Sequence, residues 1–240
     1  MSAAMRLISK ETDVDGFCDT GCSTFLSYGF RTPHFIQPIH TESPDHWVVA
    51  SSLDPCTPGT ILVYDSLLSN SERETLPEQI AALLHWQDSQ FFVHSAPCPT
   101  QSGARDCGIF AIAVMTELIL GNRLKILNNF YPSGGWKWDQ RKMRTHLITC
   151  FENRKIAVFP KVEIPSLTWD TTAVSYRIYE PFCTCRQVNS KKPMDIVKNL
   201  AKISSSNSNC RLVYHESCLG LTLPDKNSWL CPKCINPSTS

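Results

Sequence analysis

The sequence predicts an α+β domain followed by a small metal-binding module. Three observations lead there. Short runs rich in β-formers, HWVVASS (46–52), TILVYDS (60–66) and QFFVHSA (90–96), are interleaved with segments of helical apolar spacing. One long apolar segment, DCGIFAIAVMTELILG (106–121), reads as a mostly buried helix. Six of the twelve cysteines crowd into the last quarter of the chain in short pairs, a spacing that suits metal ligation.

Taken in order, residues 1–33 are polar and Gly-punctuated, with weak periodicity, and receive no firm assignment. The strands 46–52 and 60–66 are separated by the turn-prone LDPCTPG. LPEQIAALLHW (76–86) has helical apolar spacing, with Ser71 in the cap region upstream. After the strand at 90–96, the polar turn PTQSGAR leads into the buried helix, which Gly121 ends. WDQRKMRTHLITCFENRK (138–155) reads as an amphipathic helix with a basic face. The first domain therefore spans 34–160. Residues 161–181, proline-rich and without a sustained pattern, read as a linker with one strand. A metal-binding module comes next at 182–236, with PMDIVKNLAKI (193–203) as a short helical insertion and SSSNSN (204–209) as a loop.

A hydrophobic fraction of 42% over 240 residues is enough for a packed core. The net charge of +1 supplies no global attraction to nucleic acid or to an anionic membrane. The N-terminus lacks the apolar stretch of a secretory signal. The most apolar segment, 109–120, falls short of the roughly 20 residues that span a bilayer. A soluble, intracellular protein is expected, with its cysteines reduced or metal-bound rather than paired as disulfides.

A cysteine nucleophile needs conditions that favour its thiolate, a base within reach, and donors for an oxyanion. Cys107 stands where a polar turn enters an apolar helix, and a helix N-terminus offers free N–H groups and the positive end of the dipole. Cys150 falls within a helix pattern and Cys56 in a Pro-rich turn. His46, at the head of its strand, is a candidate base. Asp65, closing the next strand, could orient the imidazole, and Gln101, six positions before Cys107, could donate to the oxyanion. Each has a bland reading alone, because a lone buried cysteine is usually structural.

Their order and local contexts, HWVV, VYDS and QSGARDCGIF, resemble the Ulp1-like family of papain-fold cysteine proteases, which process SUMO and related ubiquitin-like proteins. The resemblance covers roughly residues 35–160, and its texture is that of transposon-related members, the KMRTHLITCFE helix included. It implies a papain-like fold, with His46 as base, Asp65 as its orienter, Gln101 as oxyanion donor and Cys107 as nucleophile. It also implies cleavage after the C-terminal Gly-Gly of a ubiquitin-like modifier or its conjugates, with Trp47 walling a channel for the glycines. Only 45 residues precede His46, so the family's upstream substrate-binding region reads as shortened, through truncation, an alternative start or decay.

The C-terminal cysteines and His215 stand at spacings that suit tetrahedral zinc: CTC (183–185), Cys210, HESC (215–218) and CPKC (231–234). YHESCLGL and WLCPKC resemble a PHD finger, which binds two zinc ions. The resemblance implies a complete first site from Cys183, Cys185, His215 and Cys218. The second would use Cys210, Cys231 and Cys234, with Asn207 where a fourth cysteine is expected. Trp229 fits the core aromatic, and Val213 replaces the aromatic common in readers of methylated histone tails. The finger reads as a docking module, for chromatin or another protein, or as a remnant. Nuclear location follows from the resemblance alone. The competing readings are a non-catalytic chromatin- or protein-binding protein and a transposon-derived remnant with an inactive protease fold.

Overall fold

The structure, a computed structural model, describes residues 1–18, 34–42, 45–53, 60–67, 76–83, 91–96, 98–121, 135–164, 176–179, 181–182, 187–188, 202–204 and 213–215. Four α-helices are described: α1 (Ser2–Ile8), α2 (Leu76–Leu83), α3 (Cys107–Leu120) and α4 (Gln140–Glu152). The strands are β1 (Asp15–Gly16), β2 (Phe35–Glu42), β3 (Asp45–Ser51), β4 (Thr60–Tyr64), β5 (Phe91–Ala96), β6 (Gly135–Trp138), β7 (Lys161–Ile164) and β8 (Tyr176–Tyr179). Four short strands come after these: β9 (Pro181–Phe182), β10 (Gln187–Val188), β11 (Lys202–Ser204) and β12 (Val213–His215).

The fold is α+β around a mixed six-stranded sheet in the order β1-β2-β3-β4-β5-β8. β1 and β2 are parallel, β3 is antiparallel to both β2 and β4, β4 and β5 are parallel, and β8 returns antiparallel to β5. A parallel pair needs a crossover, and α2 lies in the chain between β4 and β5.

The sheet is covered on both faces, which explains why β3 and β4 read as unbroken apolar runs rather than alternating ones. Val48, Ala50, Ile61 and Val63 pack with Ile80 and Ala81 of α2. Val49, Leu62 and Tyr64 alternate with them and pack with Phe110, Val114 and Leu118 of α3. Helix α3 is buried from Ile109 to Ile119, as its all-round apolar surface requires. Full burial of a side chain the size of Phe110 is worth about 2–3 kcal/mol, so this helix is the main anchor of the domain.

Gly121 ends α3 for a different reason from the usual left-handed cap. Its backbone is extended (φ −66, ψ 157), and a Cβ there would come within 2.2 Å of the Glu117 carbonyl oxygen. Close approach, not positive φ, demands glycine.

Several elements differ from expectation. The N-terminal segment holds α1, whose Ala4, Met5 and Ile8 are buried against α3. Together with Met1 they recur at i, i+3, i+4 and i+7, a helical signature that two turns are too short to make prominent. β2 carries Pro38 in its interior. Beside it β1 pairs only Phe35 and Ile36, so among the described residues no strand faces the missing N–H of Pro38. Gln37 extends the pairing by side chain: Nε2 donates to the carbonyls of Cys18 and Pro38, and Oε1 accepts from Cys18 N.

The stretch 161–181, expected as a linker with one strand, supplies more. β7 pairs with β6, and β8 forms an edge of the main sheet. Lys161 of β7 reaches Glu117 at 2.8 Å and lies 4.1 Å over the Trp136 ring, joining this segment to the buried helix. Further on, Lys202–Ser204 is a strand paired with Val213–His215, where a helical insertion running into a loop was expected.

Candidate functional site

Four side chains were expected to act together, and β3, β4, the loop before α3 and the first residue of α3 position them. His46 lies near the start of β3 and is fully buried. Its Nε2 stands 2.7 Å from Oδ1 of Asp65, just past the end of β4, and the carboxylate also accepts from the Leu67 N–H at 2.9 Å. A carboxylate only accepts, so Nε2 carries the hydrogen and, in the neutral ring, Nδ1 carries the lone pair. Nδ1 is buried and has no hydrogen-bond partner among the described residues. An unpartnered buried polar atom costs about 1–3 kcal/mol, and a general base is a group that must keep one nitrogen unengaged.

Ser66 follows Asp65 and holds Gln101. The Gln101 N–H donates to the Ser66 carbonyl at 2.9 Å, and Ser66 Oγ donates to Gln101 Oε1 at 2.7 Å. Gln101 Nε2 donates to the Gly103 carbonyl at 2.6 Å. Both contacts fix which way the amide points, because a carbonyl cannot donate. Two consecutive residues, Asp65 and Ser66, thus orient two of the expected site residues.

Cys107 is the first residue of α3, a half-buried thiol with no disulfide partner among the described residues. It opens on a cavity of ≈ 710 Å³ lined also by Asp45, Trp47, Arg144, Leu147 and Phe151. The Trp47 indole lies against Gly108: a Cβ there would sit 3.5 Å from Trp47 Cδ1. Trp47 is therefore beside the residue that follows Cys107, with His40 packed on it at 4.8 Å between ring centroids.

His46 does not line this cavity, although Asp45 and Trp47 on either side of it do. His46 has no accessible surface, and complete burial accounts for the difference. No hydrogen bond joins the Cys107 thiol to His46. The structure therefore brings His46 to Asp65, Gln101 to Ser66, and Trp47 to Gly108 on the cavity that Cys107 opens on, as three contacts that do not form one hydrogen-bonded string.

The segment between Gln101 and Cys107 is tied to α4 by residues the sequence did not single out. Gln140 pairs with the Ser102 backbone in both directions, at 2.8 and 2.9 Å, and donates to Asp106 Oδ2 at 2.5 Å. Arg144 pairs with Asp106 Oδ1 and lies near the Arg105 carbonyl. Their spacing of i, i+4 on the polar face of α4 was visible in the sequence, but their target was not.

Cys98 and Cys150, both buried, suit structural roles. Burial, with the nearby Asp65 charge, pushes the Cys98 thiol far above its ordinary value, which keeps it protonated and inert. Cys150 lies 3.6 Å from His146 Nε2, but that nitrogen also meets the Ala157 carbonyl at 3.1 Å. It must carry the hydrogen there, so it cannot take a thiol proton.

Cys183, Cys185, Cys210, Cys218, Cys231 and Cys234, like Cys56, Asn207 and Trp229, lie outside the described residues. Of His215 only the backbone, in β12, is described. Among the described residues no group of three His, Cys, Asp or Glu side chains could hold a metal ion. No described helix is long and apolar enough to cross a membrane.

The sequence matches no protein-family model and no curated protein. Among solved structures, that of a de-sumoylating protease is similar, at 15% identity and a TM-score of 0.32, and the likeness covers 63% of this chain. The match spans 66% of that protease chain, just under two thirds of its length. A likeness this distant carries no argument about activity, and the chemistry has to be read from the residues themselves.

Proposed function

We propose that the chain is a cysteine peptidase or isopeptidase of the Ulp1-like, papain-fold kind, cleaving after the C-terminal Gly-Gly of a SUMO-like modifier. The observation that carries this reading is the buried His46, with Nε2 committed to Asp65 and Nδ1 unpartnered among the described residues. Such a ring is held in the tautomer a general base needs. Support also comes from Cys107 at the head of α3, opening on a cavity beside Trp47.

In this reading His46 Nδ1 takes the Cys107 thiol proton, and the sulfur attacks the carbonyl carbon of the second glycine. The C–N bond breaks as the imidazolium returns the proton to the leaving amine. Water then hydrolyses the thioester and frees the thiol. Before the first step the imidazole and thiol must close on one another, and such contacts are often long in unliganded sites. A SUMO-like protein bearing a C-terminal electrophile tests the reading. Covalent labelling that Cys107→Ala abolishes is the expected result. A folded protein that no ubiquitin-like probe labels would overturn it.

One observation favours a second reading, a non-catalytic binding protein on the same scaffold: His46 and Cys107 are not hydrogen-bonded, and His46 Nδ1 has no partner among the described residues. Under that reading Cys107 stays unlabelled while the cavity still binds protein.

We also propose a C-terminal zinc finger from Cys183, Cys185, His215 and Cys218, with a weaker second site at Cys210, Cys231 and Cys234, that docks chromatin or another protein in the nucleus. The ligand types and spacings carry this part. Metal content of the purified protein tests it, and a preparation free of zinc would refute it.

A further inference from the structure

Asp106 occupies the N-cap position of α3, one residue before Cys107, and an aspartate there ordinarily turns its carboxylate back onto the amides of the first helical turn. In this protein it makes no such bond. Its backbone carbonyl still accepts from Phe110 N at 2.9 Å, so the helix starts normally. The carboxylate instead points away to α4, where Gln140 Nε2 donates to Oδ2 at 2.5 Å and the Arg144 guanidinium pairs with Oδ1.

That diversion has a chemical consequence. The first N–H groups of a helix have no intrahelical partner, and they lie where a cysteine at the first position would need donors. A carboxylate folded back onto them would occupy a donor and set a negative charge beside the sulfur. An anionic tetrahedral intermediate formed on Cys107 would then meet repulsion in place of hydrogen bonds. Gln140 also pairs with Ser102 in both directions, so the segment that carries Asp106 is fastened to the same helix.

We propose that Arg144, with Gln140, is a positioning residue: it withholds the Asp106 carboxylate from the α3 N-terminus and so leaves the amides beside Cys107 to receive an oxyanion. The inference rests on Cys107 being the nucleophile but needs no ubiquitin-like partner. Arg144 lies mostly exposed, its side chain at 65% accessibility, so its loss leaves the core intact.

The test uses p-nitrophenyl acetate on the full chain. Cys107 sulfur displaces p-nitrophenolate, an acetyl thioester forms, and the rate is read from nitrophenolate release, with Cys107→Ala as the blank. Arg144→Ala slows acylation roughly tenfold, less than the outright loss of an oxyanion donor, because the freed carboxylate only competes for one. Arg144→Lys, which keeps the charge, retains most of the rate. Adding Asp106→Ala to Arg144→Ala restores it, since nothing is left to fold back. A double variant as slow as Arg144→Ala would mean that the ion pair merely stiffens the loop, and would overturn the proposal. So would a wild-type protein with no Cys107-dependent release. If Cys107 is acetylated while every ubiquitin-like probe fails, the modifier-specific reading falls and this one is still judged by the rescue.

Discussion

Ser66 and Gln101 grip each other twice, backbone to backbone at 2.9 Å and side chain to side chain at 2.7 Å, although 35 residues separate them. The contact fastens the loop leading to Cys107 onto the residue that follows Asp65. The base candidate His46 and the oxyanion-donor candidate Gln101 are thereby held by one dipeptide, Asp65–Ser66.

Ser66→Ala removes the donor to Gln101 Oε1 but leaves the backbone bond. The amide then loses one of the two contacts that set its direction. Turnover of a SUMO-like C-terminal fluorogenic amide is expected to fall roughly tenfold, with a stability change of only about 1 kcal/mol. Equal turnover in both proteins would remove Gln101 orientation from the mechanism.

Asp65→Ala and Asp65→Asn should differ widely. Alanine leaves His46 Nε2 buried and unpaired and frees the ring, so turnover should drop by roughly 10²- to 10⁴-fold, the usual worth of a positioned base. Asparagine keeps an Oδ1 that the Leu67 N–H holds in place at 2.9 Å, and this oxygen can still accept from Nε2. It should retain far more activity than alanine. Matching losses in the two variants would show that charge, not orientation, is what Asp65 supplies.

Cys98 makes a prediction about alkaline pH. Its thiol is shifted far above the ordinary value of 9.0, chiefly by burial and secondarily by Asp65. The folded state therefore keeps a proton that the unfolded chain gives up. The stabilisation is complete below pH 9.0 and is lost as pH rises above it, by up to about 1.4 kcal/mol per pH unit. Denaturant unfolding at pH 8 to 10 should show the difference between wild type and Cys98→Ala shrinking along that slope. A constant difference would place the thiolate in a solvated site. Iodoacetamide at neutral pH should modify Cys107 and leave Cys98 and Cys150 untouched, as peptide mapping would show.

Arg154 adopts φ 52 just beyond α4. Lys155 N bonds to the Cys150 carbonyl at 3.0 Å and Arg154 N to that of Phe151 at 3.1 Å, the paired bonds of a Schellman cap. An arginine in that left-handed position is strained where glycine is at ease. Arg154→Gly is expected to raise unfolding free energy by about 1 kcal/mol. A lower melting temperature in the variant would contradict the strain argument.

The most apolar runs of the sequence, β3, β4, β5 and α3, stand where their pattern puts them, within a residue or two. Those it did not reveal depend on partners far along the chain. β2 tolerates Pro38 because β1 stops short of it, α1 is stabilised by burial on α3, and β8 exists through pairing with β5. None of these conditions is local, so no window of sequence contains them.

The candidate site divides in the same way. Residue type, order and local context together marked His46, Asp65, Gln101 and Cys107, because nucleophile chemistry restricts which side chains can serve. The tertiary structure decided their company. It paired Asp65 with His46, set Ser66 on Gln101, placed Trp47 on the lining of the cavity that Cys107 opens on, and drew the Asp106 carboxylate to Arg144. Strand alternation and helix docking settle such matters, since they fix the direction of each side chain only once its element has found its neighbours.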